Sequence, residues 1–349
     1  MGALTPNFLF DLESRMRVVI ENEFSRLLTN SWWKKVATTR NSESKRELIT
    51  FLLSTANIER VGTGQVNYLD IEAAYTELVN DFAGAGLRLK EEQFDDLDGN
   101  GIQLAAKWAS DIGALMGYWP QQEVARFLKT AHTDFIGYDK LAFFHAAHLT
   151  NPNNAALGTY ANLFTGASSG DYPGAVPIHE IGSGAVPADV ALQNLAKLQA
   201  YVAGFKMPNG ITPRMLRLKG LIVPPKMFPR AVQLTNAKFI VQAGGASGAG
   251  SSDVEALVKN LGFAEPIQAD ELAGYENETT YFAVCEQVQS TEVGGVIYQE
   301  RKPFKVNFYS GNDGANVELA RSGEYEWICK GRNAVGAGHP YLLLKCKGA

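Results

Sequence analysis

The chain has 349 residues, 46% of them hydrophobic and 20% charged, with a formal net charge of −5. That composition describes a folded chain large enough for more than one domain, and it excludes wholesale disorder. The total charge gives no sign of nucleic-acid recognition, and three cysteines at long spacings, Cys285, Cys329 and Cys346, make neither a disulfide framework nor a zinc site.

In chain order, Thr5-Pro6 opens a helix whose apolar positions Leu9, Leu12, Met16, Val19, Ile20 and Phe24 recur at helical spacing. This predicts an amphipathic N-terminal arm ending at Trp32-Trp33. Residues 39–90 mix apolar runs with Gly62, Gly64, Gly84 and Gly86. We read them as two extended arms bending at Val61-Gly62-Thr63-Gly64. A hairpin of that length cannot stand in water alone and needs another surface to lie on.

Asp95, Asp96 and Asp98 then lead into the strongest helix, with Leu104, Trp108, Ile112, Leu115 and Trp119 on one face. Pro120 either kinks that helix or separates it from a second one over residues 121–131. Residues 133–186 lack periodicity and read as a long packed loop region. A helix is expected at 188–205, a strand at 216–223 stopped by Pro224-Pro225, and helices at 228–241 and 253–261 around a GGASGAGSS loop. The remainder reads as strands at 281–285, 295–300, 304–309, 325–329 and 341–347, with SGNDG and GRNAVGAGHP as turns.

Charge is arranged in blocks. Residues 190–252 contain eight basic residues and no acidic one, whereas residues 253–300 contain ten acidic residues and one basic. Such blocks can pair within a subunit or between subunits, or remain solvated faces.

Chemical motifs are weak. Asp96-Leu97-Asp98-Gly99-Asn100-Gly101 begins like a calcium loop, but the twelfth position, where a bidentate glutamate belongs, is Lys107. His145 and His148 would share a helix face and, with His132, suggest a metal site, yet no HExxH or nearby cysteine completes it. No P-loop, GxGxxG or GxSxG is present. No catalytic, cofactor-binding or metal residue is assigned, and no cofactor is expected. The stretch free of Asp, Glu, Lys and Arg at 141–170 is broken by Asn151, Pro152, Asn153 and Asn154, so no membrane span is expected. The residues thus describe a mixed α/β chain with a long projecting hairpin and no visible active site, which favours a structural, assembling protein.

Ordered blocks of sequence carry a resemblance. Trp32-Trp33-Lys34-Lys35-Val36-Ala37, the polar run Ser42–Glu47, Ile58-Glu59-Arg60-Val61-Gly62, Phe94-Asp95-Asp96, Pro120-Gln121-Gln122-Glu123, Tyr138-Asp139 with Phe143-Phe144 and His148, and Val223-Pro224-Pro225 follow one another as in the Mu-like phage major head subunits. Lys140 after Asp139 and Leu149 after His148 depart from that pattern. The resemblance implies an α+β, Hong Kong 97-like capsid fold. Its parts would be an N-terminal arm (1–38), an extended loop (39–90), a peripheral domain with a spine helix (91–206), an axial domain (207–300) and return strands (301–349). It implies a non-enzymatic major capsid protein of a tailed phage, assembling as hexamers and pentamers around double-stranded DNA without sequence-specific contacts. Portal, scaffold and decoration proteins would be further partners, and the shell would be assembled in the bacterial host cytoplasm. Trp32, Trp33, Arg60, Arg214 and Arg217 are the expected assembly contacts. An encapsulin-like nanocompartment shell and a metal enzyme using His132, His145 and His148 are the alternatives.

Overall fold

The computed structural model describes residues 6–53, 71–90, 100–165, 188–236, 264–287, 293–310 and 323–347. Helix α1 spans Pro6–Asn30 and ends in a 3-10 turn at Trp33–Lys35. Strands β1 (Ala37–Asn41), β2 (Arg46–Leu52), β3 (Ala73–Val79) and β4 (Asp81–Lys90) follow, then helix α2 (Asn100–Thr130). Short strands β5 (His148–Leu149), β6 (Thr159–Tyr160) and β7 (Leu163–Thr165) precede helix α3 (Ala188–Ala203). Next come β8 (Leu216–Val223), α4 (Phe228–Asn236), β9 (Ile267–Gln268) and β10 (Thr280–Gln287). The described chain closes with β11 (Val296–Ser310), β12 (Glu324–Ala337) and β13 (Leu343–Lys347). The expected bend at 61–64 and the helix at 253–261 lie outside the described residues, as do residues 237–241 of the expected 228–241 helix.

Two sheets organise the core. The five-stranded sheet has the order β7-β13-β10-β8-β9. Helices α3 and α4 pack on one face of it through Leu192, Leu195, Leu198, Val202 and Leu234. The C-terminal part of α2 covers the other face, bringing Val124, Phe127 and Leu128 to Ile222 and Phe282. This double cover explains β8, which alternates over Leu216–Lys219 and is then buried continuously from Gly220 to Val223.

The four-stranded sheet has the order β1-β11-β12-β4. Its inner face offers Tyr325, Trp327 and Cys329 to α1 and α2. Residues 295–300 and 304–309, expected as separate strands, are one strand that passes through Pro303 with register shifts on either side. Proline is tolerated there because it sits in the register shift between the Lys302↔Arg332 and Lys305↔Lys330 pairs, and because β1 pairs only as far as Glu300, leaving β11 without a partner on that side among the described residues. GRNAVGAGHP is not a turn, since β12 runs through it to Ala337. Its glycines mark close approach: a Cβ on Gly331 would lie 2.7 Å from the Phe304 ring, and one on Gly336 1.8 Å from Leu78.

Helix α2 continues unbroken through Pro120. Only part of the expected face is buried: Ile112 lies in the core and Trp108 packs against it. Leu104 and Leu115 are about half exposed, and the buried stripe is Ala105, Ala109, Gly113 and Gly117 together with Ile112 and Met116. The four-residue spacing of the small side chains lets α1 lie almost backbone to backbone on α2. A Cβ on Gly113 would fall 2.7 Å from the Ile20 carbonyl oxygen, and one on Gly117 2.8 Å from that of Phe24.

Gly113→Ala should therefore destabilise the folded chain by about 1–3 kcal/mol through overpacking, and Gly117→Leu by more. Thermal unfolding of the purified protein measures both. A surface control such as Lys107→Ala, exposed on the same helix, should leave the melting temperature within a degree or two.

Candidate assembly surface

Strands β2 and β3 form an antiparallel pair, Arg46 opposite Val79 through Leu52 opposite Ala73. Alternation along each strand separates two faces. The inner face carries Ile49, Phe51 and Leu78, which pack with Leu53 against Tyr138, Val293 and Ile297. The Phe51 ring stacks on Tyr138 at 4.7 Å and meets the His339 ring edge-on at 4.9 Å. The outer face carries Leu48, Leu52, Tyr75 and Val79, exposed by 62, 63, 67 and 46%. An Arg46–Glu77 ion pair at 3.2 Å lies among them. A contiguous, solvent-facing apolar patch on a two-stranded ribbon marks an interaction surface. The ribbon does not take up the whole 39–90 stretch, because β4 leaves it and pairs with β12 from Lys90↔Glu324 to Asp81↔Asn333.

The five residues expected at assembly contacts are placed very differently. Trp32 and Trp33 are buried inside the subunit, Trp33 with its ring 5.0 Å from Tyr298 and Trp32 donating its indole N–H to Glu271 at 3.3 Å. Arg60 lies outside the described residues. Arg214 is 5% exposed. Its guanidinium lies 3.8 Å from the centre of the Tyr341 ring, and its Nε donates to the Lys206 carbonyl at 2.7 Å. Arg217 is exposed on β8, directly opposite Glu286 of β10. Lys219 pairs with the same Glu286 at 2.5 Å. The basic and acidic blocks thus meet within one subunit at the β8–β10 ladder. The outer hairpin face escaped sequence reading because alternating Leu-Ile-Thr-Phe-Leu is apolar on both sides; only the packing shows which side is covered.

The histidines do not form a shared helical face. His132 follows the end of α2, His145 lies in a loop and His148 begins β5. His148 is fully buried, and protein acceptors take up both its ring nitrogens. Nδ1 faces the Asp139 carboxylate at 2.5 Å, while Nε2 faces the Phe143 carbonyl and the Asn162 side-chain oxygen, each at 3.1 Å. Asn162 is itself fixed by donating to the Phe143 and Pro340 carbonyls and accepting from the His145 N–H. A ring used in this way ties three loop segments together and has no nitrogen to offer a metal. Among the described residues no group of three His, Cys, Asp or Glu side chains is arranged to hold a metal ion. No helix of the described residues is long and apolar enough to cross a membrane.

A second buried polar anchor joins β13 to the turn before β10. Lys345, 2% exposed, donates to Glu276 at 2.9 Å and to the Tyr275 hydroxyl at 2.7 Å. Burial holds its ammonium below the usual lysine range. Glu276, Asn277 and Glu278 all have positive φ, of 44, 57 and 58°. A run of left-handed non-glycine residues is costly and persists here because side-chain bonds fix it. Thr280 donates to Glu276, and Glu278 accepts from the backbone N–H groups of Gly274 and Lys226.

Comparison with known proteins adds an independent line. The family model for the Mu-like prophage major head subunit gpT matches residues 13–172. No functionally curated protein matches the sequence. In structure the chain is similar to the capsid of the cyanophage P-SCSP1u, at 13% identity over 91% of this chain and 88% of that one, with a TM-score of 0.55. It is also similar to the capsid of Myoviridae phage XM1, at 9% identity over 91% of each chain, with a TM-score of 0.53. Those likenesses establish the Hong Kong 97-like capsid fold.

Two expectations follow from the buried groups. Arg214→Glu should lower the melting temperature of the unassembled subunit strongly, by the several kcal/mol typical of a buried unpaired charge. Arg217→Glu should change stability by less than about 1 kcal/mol, and paired melting curves separate the two. His339 sits among Phe51, Tyr138 and Tyr341, where burial and the Arg214 charge hold its imidazole down to about 3. The folded state therefore refuses a proton that the unfolded chain takes up below about pH 6.5. Stability from this group is complete above that pH and falls as pH drops from about 6.5 toward 3, by at most about 1.4 kcal/mol per unit. Between pH 6.5 and 5, before carboxylates titrate, His339→Phe should reduce the pH dependence of urea-unfolding free energy.

Proposed function

We infer that this chain belongs to the Mu-like major head subunits and is a major capsid protein of a tailed phage. It is a structural subunit rather than an enzyme, and its copies assemble with one another into a capsid shell. The observation that carries the reading, beyond fold and family, is the β2–β3 ribbon, which buries one face in its own subunit and leaves the other apolar and uncovered. Stable subunit interfaces of obligate type bury roughly 2,000–5,000 Å², and a ribbon of this kind supplies such area only when another copy lies against it.

In the finer form of the proposal, subunits group as hexamers and pentamers around double-stranded DNA, held without sequence-specific contacts and joined by portal, scaffold and decoration proteins. Assembly takes place in the bacterial host cytoplasm. The chain then divides into arm (1–38), extended loop (39–90), peripheral domain (91–206), axial domain (207–300) and return strands (301–349). The long α2 and its cover by α1 support a spine within the peripheral part. The family match, being to a phage head subunit, does not favour a nanocompartment shell or a metal enzyme.

Negative-stain microscopy and light scattering of the purified protein test the central claim. Closed shells or capsomers are expected, and a folded monomer at every concentration would refute it. Leu52→Asp combined with Tyr75→Asp should leave the melting of the unassembled subunit within about 0.5 kcal/mol of the parent, because both side chains are solvent-facing, while preventing shell formation.

A further inference from the structure

Residues 274–279, in the connection from β9 to β10, bury no side chain fully, yet their backbone is strained. Gly274 has a φ of 71°, and Glu276, Asn277 and Glu278 follow with 44, 57 and 58°. Apolar anchoring stops at Leu272, fully buried in the core that joins the two sheets, and resumes at Tyr281 and Phe282. Between those points the Tyr275 ring packs only partly against that core, and the rest of the hold is polar. Glu276 accepts from the Lys345 ammonium at 2.9 Å and from the Thr280 hydroxyl at 2.5 Å. The Tyr275 hydroxyl accepts from Lys345 and donates to the Lys129 carbonyl at the end of α2. Glu278 accepts from the N–H groups of Gly274 and Lys226, each at 3.1 Å. Left-handed residues other than glycine persist only while such contacts hold them.

We propose that residues 274–279 form a charge-held flap over Lys345, which opens as a unit when Glu276 loses its charge while both sheets stay folded. Beneath the flap, the buried Lys345 ammonium has Glu276 as its one ion-pair partner among the described residues. With Glu276 neutral, that ammonium is left buried and unpaired, a state that opening to water relieves. Strain acts in the same direction, because an open flap lets Glu276, Asn277 and Glu278 return to ordinary backbone angles. The chain on either side is anchored by apolar packing, so the opening stops at Leu272 and at β10. The charges facing Glu276 come from β13, with Lys345 and beside it Lys347, and from the chain after α2, with His132 and Asp134. Burial alone would raise the Glu276 carboxyl, but the bonds from Thr280 and Lys345 outweigh it and hold the group below its usual range. The tie is therefore complete above about pH 4.5 and is lost as pH falls through the lower value that the folded chain imposes. Burial and the Lys345 charge hold His132 down as well, so it gains its proton only below about pH 6.5 and then adds to the repulsion of Lys345.

Hydrogen–deuterium exchange of the full chain, corrected for the intrinsic rate at each pH, tests this. The amides of Gly274 and Thr279, bonded to Glu278 and to the Glu276 carbonyl, should be protected at pH 7 and lose protection at least about tenfold below pH 4.5. The β10–β13 ladder at Ala283 and Leu344 should keep its protection over the same range. Glu276→Gln should show the open pattern already at pH 7, again with the ladder intact. Asn277 is exposed, so Asn277→Val removes no packing but places a β-branched residue in left-handed backbone; it should open the flap at a higher pH than the parent, whereas Asn277→Gly should not. If Glu276→Gln does not fold, Asn277→Val decides alone. Loss of protection at the turn and the ladder together, in acid or in either variant, would overturn the proposal. So would parental exchange at every pH in Glu276→Gln or in Asn277→Val.

Discussion

Strand β12 is the constraint on which the two halves of the molecule depend. Its fourteen residues alternate buried and partly exposed almost throughout, which fixes one row of side chains against the helices and the other away from them. It pairs with β11 along one edge and with β4 along the other. Its first half supplies Tyr325, Trp327 and Cys329 to the core under α1 and α2, while its last residues, Val335 and Ala337, belong to the core that joins the two sheets. A slip of one residue would turn every one of these side chains to the wrong face. The glycines within it then decide how closely its neighbours approach, admitting the Phe304 ring at one point and Leu78 of the ribbon at another.

Buried polar groups do comparable work between elements that share no ladder. The Asp139–His148–Asn162 set joins the loop after α2, strand β5 and the segment leading to β7, with further bonds to the carbonyls of Pro340 and Leu343. The Lys345–Glu276 pair ties β13 to a turn of three left-handed residues, and the Tyr275 hydroxyl of that turn donates to the Lys129 carbonyl at the end of α2. Every atom in such a set needs its partner, so the geometry of long irregular connections becomes specific rather than merely compact.

Much of this was legible in the sequence where one period dominated. The apolar spacing of α1, α3 and β8 and the family resemblance of the first two-thirds of the chain led directly to the capsid fold. Three readings went astray, each for a physical reason. The buried face of α2 is made of alanine and glycine, so hydrophobicity pointed to Leu104 and Leu115 instead, which are solvent-facing. Strand β12 was cut short because glycine signals a turn and a close approach with the same letter. Pro303 reads as a strand break because nothing local reveals that the pairing with β1 ends opposite Glu300. For the surface, charge in the sequence identified Arg214 as a contact residue, yet its guanidinium is stacked inside the fold. Lys302, Lys305, Lys330 and Arg332, by contrast, come together only through strand pairing across 30 and 25 residues.

The near backbone-to-backbone seating of α1 on α2 has a mechanical consequence. Helices separated by long side chains can slide, because rotamers re-sort to follow the motion. Here main-chain atoms of Ile20 and Phe24 sit where Gly113 and Gly117 leave no side chain between them, and sliding by even part of a turn would drive α1 into Ala109 or Met116. The two helices therefore act as one stiff beam laid along the sheet. In the proposed shell, bending of the chain would be taken up at the described end of that beam, in the 3-10 turn at Trp33–Lys35, and not along its length.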